Sequence, residues 1–116
     1  MDRSIPLIKH FVALIKMDPF DSSGRFIESL AQKVIGSLDL KVVQKFEHTF
    51  KPDGITLGFV LAQSHLVIHT WPESGTIHID LVACSPIKEK KFKQALISFL
   101  DKQNIQLIEV KAVNFF

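Results

Sequence analysis

Apolar positions along the chain follow two different rhythms. Ile5 to Lys16 is rich in branched apolar residues and predicts a buried strand. "DPFDSSG" reads as a loop ending in helix-capping residues. Phe26, Ile27, Leu30, Ala31 and Val34 then recur at helical spacing, with Gly36 as the C-terminal stop. Leu40 to Phe46 predicts a second strand, and "KPDG", Lys51 to Gly54, a turn. Ile55 to Ala62 and His65 to Trp71 read as two further strands with little between them. "PESG" makes a short hairpin loop, and Thr76 to Cys84 returns as another strand. Ser85 and Pro86 suit the N-cap and first turn of a helix whose apolar stripe is Phe92, Ala95, Leu96 and Phe99. A last strand runs from Ile105 to Val113. The order β-α-β-β-β-β-α-β predicts an α+β fold: a two-layer sandwich, mostly antiparallel sheet, with two helices on one face.

Strand side chains alternate between faces, so the hairpin around "PESG" has a readable register. His65, Val67, His69 and Trp71 share one face of their strand; Thr76, His78, Asp80, Val82 and Cys84 share one face of the return strand. A four-residue loop pairs Trp71 with Thr76, His69 with His78, Val67 with Asp80 and His65 with Val82. Extended further, it sets Cys84 opposite Gln63, next to Ser64, and a slip of one residue would set it opposite Ser64 itself. Plain alternation leaves Ser64 on the opposite face from His69; a bend or bulge at the junction would bring the two together.

Composition narrows the class. The length of 116 residues suits one domain, 1–116, and an apolar fraction of 47% suits a packed core rather than a disordered chain. The net charge of +2 is nearly neutral, and the lysines of Ile87 to Gln94 read as a solvated helix face, so nucleic acid is not expected as a partner. A single Cys excludes an intrachain disulfide and a zinc ribbon, which points to a reducing compartment, with the cytoplasm as default. "IPLIKHFVALIKM" is interrupted by Lys9, His10 and Lys16, so neither a membrane span nor a signal peptide is expected.

Leu61 to Cys84 holds three of the five histidines, the only Trp and the only Cys. His65, His69 and His78 share a face and imidazole is a good ligand, but their spacing matches no metal motif, and no metal is expected. Cys84 with a histidine base would make a nucleophilic hydrolase, yet no nucleophile elbow accompanies it, and a lone Cys in an apolar strand is usually inert. On the same bland terms His78 is a half-exposed strand residue and Trp71 is core.

Taken as a unit, "SHLVIHTWPE", Ser64 to Glu73, resembles the signature of the prokaryotic S-adenosylmethionine decarboxylase proenzymes: Glu-Ser-His, a few apolar residues, then Ile-His-Thr-Trp/Tyr-Pro-Glu. The Gly, the alternating strand with an Asp and the Cys that follow in the family are matched here by Gly75, Ile77 to Asp80, and Cys84. "HTFKPDGIT", His48 to Thr56, resembles the family's His-x-Phe-x-Pro-x-Gly-x-Ser/Thr, and His10 sits where the family has a His opening its first strand.

The resemblance implies a chain that cuts itself between Gln63 and Ser64, giving residues 1–63 and 64–116, the second capped by a pyruvoyl group made from Ser64. It implies His69 as the base of processing, Thr56 as a hydroxyl assisting the cut, and Cys84 as the proton donor of decarboxylation. Phe50 would stack on the substrate's adenine, or else is a core Phe. Glu73 would hold the ribose or the cationic end, or else is a polar hairpin residue. It further implies a role in making the aminopropyl donor for polyamines such as spermidine, and a homodimer whose sites draw on both subunits. Departures from the pattern cluster near the site: Gln63 replaces the usual glutamate, Ile8-Lys9 the usual Gly-Arg, Leu57 a glycine, and "LVACS" a Leu-Phe-Thr-Cys-Gly. They leave two alternatives: the same machinery acting on arginine or ornithine, and a homologue that never processes and acts as a binding or regulatory partner.

Overall fold

In the computed structural model, which describes residues 5–21 and 23–115, eight main elements follow one another. They are β1 (Lys9–Met17), α1 (Gly24–Ser37), β2 (Val42–Thr49), β3 (Ile55–Leu61), β4 (Ser64–Trp71), β5 (Thr76–Ala83), α2 (Glu89–Leu100) and β6 (Ile105–Val113), with a single 3-10 turn at Pro72–Ser74. The six strands form one sheet in the order β2-β3-β4-β5-β1-β6, every neighbouring pair antiparallel. The element order and the α+β architecture are those expected.

Period-two alternation builds the core. Leu66 and Ile68 of β4, Ile77, Ile79 and Leu81 of β5, and Ala13 and Ile15 of β1 are buried, and they meet Ile27, Leu30 and Val34 of α1 and Phe92 and Leu96 of α2. Burial of each large aliphatic or aromatic side chain contributes roughly 1.5–3 kcal/mol. Thr70, the one buried polar residue among the described residues, is satisfied by the Ile55 N–H at 3.0 Å. The opposite face of the sheet is covered by no element among the described residues. It carries Leu14, Phe46, Val60, Trp71, Leu107 and Val113 as exposed apolar side chains, with Val12, Val67 and Val82 half-buried among them.

Element ends differ from expectation for local reasons. β1 begins at Lys9 rather than Ile5, because Lys9 to Ala83 and His10 to Val113 are the last pairings its neighbours offer. α1 is capped at its start by the Ser23 hydroxyl, which accepts from the Phe26 N–H at 3.2 Å; Ser22 lies outside the described residues. The helix runs through Gly36 instead of stopping there. Its end is a Schellman motif, in which the Leu40 N–H reaches Ile35 O at 3.0 Å and the Asp39 N–H reaches Gly36 O at 3.2 Å. Asp39, at φ +55°, takes the left-handed position expected of a glycine, and Leu40 is used in the cap, so β2 starts at Val42. Ser85 and Pro86 do not start α2. Ile87 is anchored in the core and its N–H bonds Ser85 O at 2.7 Å, so these residues turn first and the helix begins at Glu89. None of the helices among the described residues is long and apolar enough to cross a membrane.

Candidate active site

Ser64 opens β4 directly after a two-residue turn, because Leu61 of β3 pairs with Ser64 across Ala62 and Gln63. Gln63 holds φ at +56°, left-handed backbone that costs a residue with a side chain roughly 1–2 kcal/mol. The strained position is thus the residue whose carbonyl precedes Ser64. The four cross-strand pairs expected between β4 and β5 are all present, from Trp71–Thr76 to His65–Val82. That register brings Cys84, one residue past β5, to Ser64: the Cys84 N–H donates to Ser64 Oγ at 3.1 Å. The thiol is free and half-buried.

No bulge interrupts β4. Its ladders to β3 and β5 run unshifted, so Ser64 keeps the alternation of Leu66, Ile68 and Thr70 while His69 lies on the open face. His69 lies five positions after Ser64, about 16 Å along the strand. The histidine expected beside Ser64 is therefore not His69 of the same chain. His69 belongs to a second cluster at the far end of β4. There it pairs with Thr56 across β3, and Thr56 Oγ1 and His69 Nδ1 share a hydrogen bond of 2.8 Å. A cleft of about 310 Å³ opens beside them, walled by Phe50, Trp71 and Glu73 and floored by Gly54. Phe50 and Trp71 are 49% and 44% exposed, so neither is the core residue that its bland reading made it. The alternation that put Trp71 on the face of His69 was the available sign that it lines a cleft.

A third group lies between the two clusters. Asp80 accepts from His10 Nε2 at 2.6 Å through Oδ1 and from His65 Nε2 at 3.1 Å through Oδ2. Burial alone would raise the Asp80 carboxyl, but the hydrogen bonds from His10 and His65 outweigh it and hold the group below its ordinary value. His65, His69 and His78 thus do not converge as ligands: His65 turns to Asp80 and His69 to Thr56. A larger cavity, about 460 Å³, lies by the end of α1 and the start of α2, lined by Leu38, Asp39, Ser85 and Lys91. It includes none of Ser64, Cys84, Thr56 or His69, so chemistry rather than volume selects the site.

Comparison with known proteins gives these clusters a family. The sequence model of S-adenosylmethionine decarboxylase matches residues 18–112, which take in both the Ser64–Cys84 and the Thr56–His69 pairs. The chain belongs to the S-adenosylmethionine decarboxylase family. An S-adenosylmethionine decarboxylase proenzyme of Clostridium botulinum is 33% identical over 98 residues, 83% of this chain and 80% of its own. One from Archaeoglobus fulgidus is 35% identical over 75 residues, 63% of this chain and 67% of its own. The fold also resembles the crystal structure of the adenosylmethionine decarboxylase from Aquifex aeolicus VF5, with a TM-score of 0.71 at 25% identity, over 93% of this chain and 89% of that one. His10 lies before the segment matched to the family, so its contact with Asp80 joins matched and unmatched parts of the chain.

Proposed function

We propose that this chain is an S-adenosylmethionine decarboxylase serving polyamine synthesis, activated by cutting itself between Gln63 and Ser64. The observation that carries the reading is the Ser64 hydroxyl, held on the Cys84 amide directly after a left-handed Gln63. Ser64 Oγ attacks the Gln63 carbonyl carbon, and the amide becomes an ester as the Ser64 nitrogen leaves. A base then takes the Ser64 α-proton, and the ester departs as the carboxylate of fragment 1–63. Water replaces the nitrogen of the remaining dehydroalanine, which is lost as ammonia, leaving a pyruvoyl ketone on fragment 64–116. The residues present fit that group: a precursor serine, a backbone N–H aimed at its oxygen, and a thiol on the residue that supplies the N–H. Once formed, the ketone supplies the electrophile that takes up the substrate amine and accepts electrons as CO2 leaves. Cys84 holds the proton to be returned, Phe50 and Trp71 offer flat faces for an adenine, and Glu73 offers a charge opposite to the substrate's sulfonium and amine.

The base is His69, oriented by Thr56, and it comes from a second copy. Within one chain it stands about 16 Å from Ser64 along β4. A two-fold axis running between two stacked sheets and across their strands reverses one strand against the other, so the Thr56–His69 end of one copy meets the Ser64–Cys84 end of its mate. The open apolar face of the sheet is the surface such a homodimer would bury. A second reading keeps this machinery for arginine or ornithine, and Gln63 in place of the family's glutamate is the observation that favours it.

Mass spectrometry of the purified chain and a CO2-release assay test the proposal. The expected masses are those of 1–63 and 64–116, with release from S-adenosylmethionine. Ser64→Ala should stay whole and inactive. Cys84→Ala should cut normally yet release CO2 about 10²–10⁴-fold more slowly. A wild-type chain that stays intact points to a non-processing homologue, and release only from arginine or ornithine points to the second reading.

A further inference from the structure

Asp80 joins three strands at one carboxylate. It sits on the open face of β5 opposite Val12 of β1 and Val67 of β4, and its two oxygens take N–H bonds from one histidine on each flank. His65 is the residue directly after Ser64, so its bond to Asp80 and the Ser64–Cys84 bond together pin the first two residues of β4 to β5 and the residue after it. His10 would lie on the other product of the proposed cut, since it precedes Gln63 while Asp80 follows Ser64. The two arms of the carboxylate therefore do different things. One fixes the end of the strand at which the chain would break; the other reaches across to the fragment that the break would release.

We infer that Asp80 is a positioning residue for the self-cleavage: through His65 it holds the start of β4 in line before and after the cut, and through His10 it ties fragment 1–63 to fragment 64–116. The inference rests on the self-cleaving reading. A strand that loses its upstream peptide bond becomes a chain terminus, and termini fray unless tied down. The Ser64–Leu61 pairing would lose the covalent turn that enforces it, so side-chain anchors to β5 would add to the β4–β5 ladder that begins at His65–Val82. Asp80 is the carboxylate placed to do this, and as an ionised acceptor with two imidazole donors it makes bonds of the stronger, charge-assisted kind.

The test follows cutting of the full chain by mass, together with hydrogen exchange at Leu66 and Val67 in material already cut. Asp80→Asn and His65→Ala should slow the cut, by up to about 100-fold for an ångström of lost alignment, and should speed exchange at those two amides. His65→Gln, whose side-chain amide can still donate to Asp80, should recover part of both. His10→Ala should affect the cut less, but should let the fragments separate at lower urea. Asp80→Asn cutting at the wild-type rate with unchanged exchange overturns the inference and leaves the self-cleaving reading standing; a wild-type chain that never cuts overturns both. Should Asp80→Asn not fold, His65→Ala and His65→Gln decide. Equal rates for these two and wild type overturn the inference, and a loss that the glutamine partly restores supports it.

Discussion

Asp80 carries its charge between two imidazoles, and that has a consequence in acid. Burial opposes the charge, the bonds from His10 and His65 favour it, and the bonds prevail, so the folded pKa lies below the unfolded one. A depressed carboxylate contributes stability that is complete above its unfolded pKa and is lost as pH falls toward and through the folded value. Melting temperatures recorded downward from about pH 6 should therefore fall more steeply below about pH 4 in the wild-type chain than in Asp80→Asn. Parallel curves would show that the two histidines do not favour the charged form. This contact is poorly legible in the sequence. Alternation puts Asp80, His65 and His10 on strand faces, but nothing local says that β1, which starts at Lys9, runs beside β5 rather than elsewhere in the sheet. By contrast the Ser64–Cys84 approach was legible, because one short loop transmits the register from Trp71 to His65 and a single step further reaches the pair.

Among the elements, the β4–β5 hairpin depends on a glycine. Gly75 adopts φ +63°, and a Cβ there would stand 2.2 Å from the Met17 carbonyl oxygen, a backbone atom of β1. Gly75→Ala should cost at least about 1–2 kcal/mol for the left-handed backbone alone, plus the displacement of β1. A lowered urea midpoint with an unchanged slope is the expected readout, and a midpoint within error of wild type would contradict it. Gly58 differs: the atoms nearest its Cβ would be those at the far end of the Phe46 ring, a side chain 48% exposed, rather than backbone. Strands and the turn at "PESG" were readable because period-two alternation and turn residues are local signals. The helix ends were not. Gly36 looks like a stop, but the chain continues until Leu38 is seated in the core and Asp39 accepts the left-handed turn. Ser85 and Pro86 look like a start, but burial of Ile87 takes precedence.

For the whole molecule, the separation of the Ser64–Cys84 and Thr56–His69 pairs along β4 would make a dimer part of the proposed chemistry. If the base reaches Ser64 from a second copy, defects in the two pairs should complement. Ser64→Ala chains keep a competent Thr56–His69 pair, and His69→Ala chains keep a competent Ser64. Each alone should stay uncut or cut slowly. Co-expressed, the His69→Ala chain should be cut in the mixed dimers, up to half of all dimers by random pairing. Mass spectrometry distinguishes the products, and a His69→Ala chain that cuts no faster in the presence of its mate would refute supply in trans. The exposed Leu14, Phe46, Val60 and Leu107 would then have the same explanation: the face left uncovered by helices is the one such a dimer would bury.

Much of the architecture was written in the order of residues. Strand faces, the β4–β5 register and the element order follow from spacings a few residues long, and the motif between Phe50 and Cys84 carried the family. Folding in three dimensions settled what those spacings could not. An uninterrupted β4 keeps Ser64 and His69 on opposite faces and about 16 Å apart, as plain alternation has them and without the bend that would have joined them. The helices end where core burial completes rather than where a glycine or proline suggests. Asp80 finds its second histidine, His10, on a strand that only the sheet order makes its neighbour. Local periodicity and turn chemistry act within a few residues and so can be read along the chain. Which side chains meet is set by contacts between segments distant in sequence, and those exist only once the sheet is assembled.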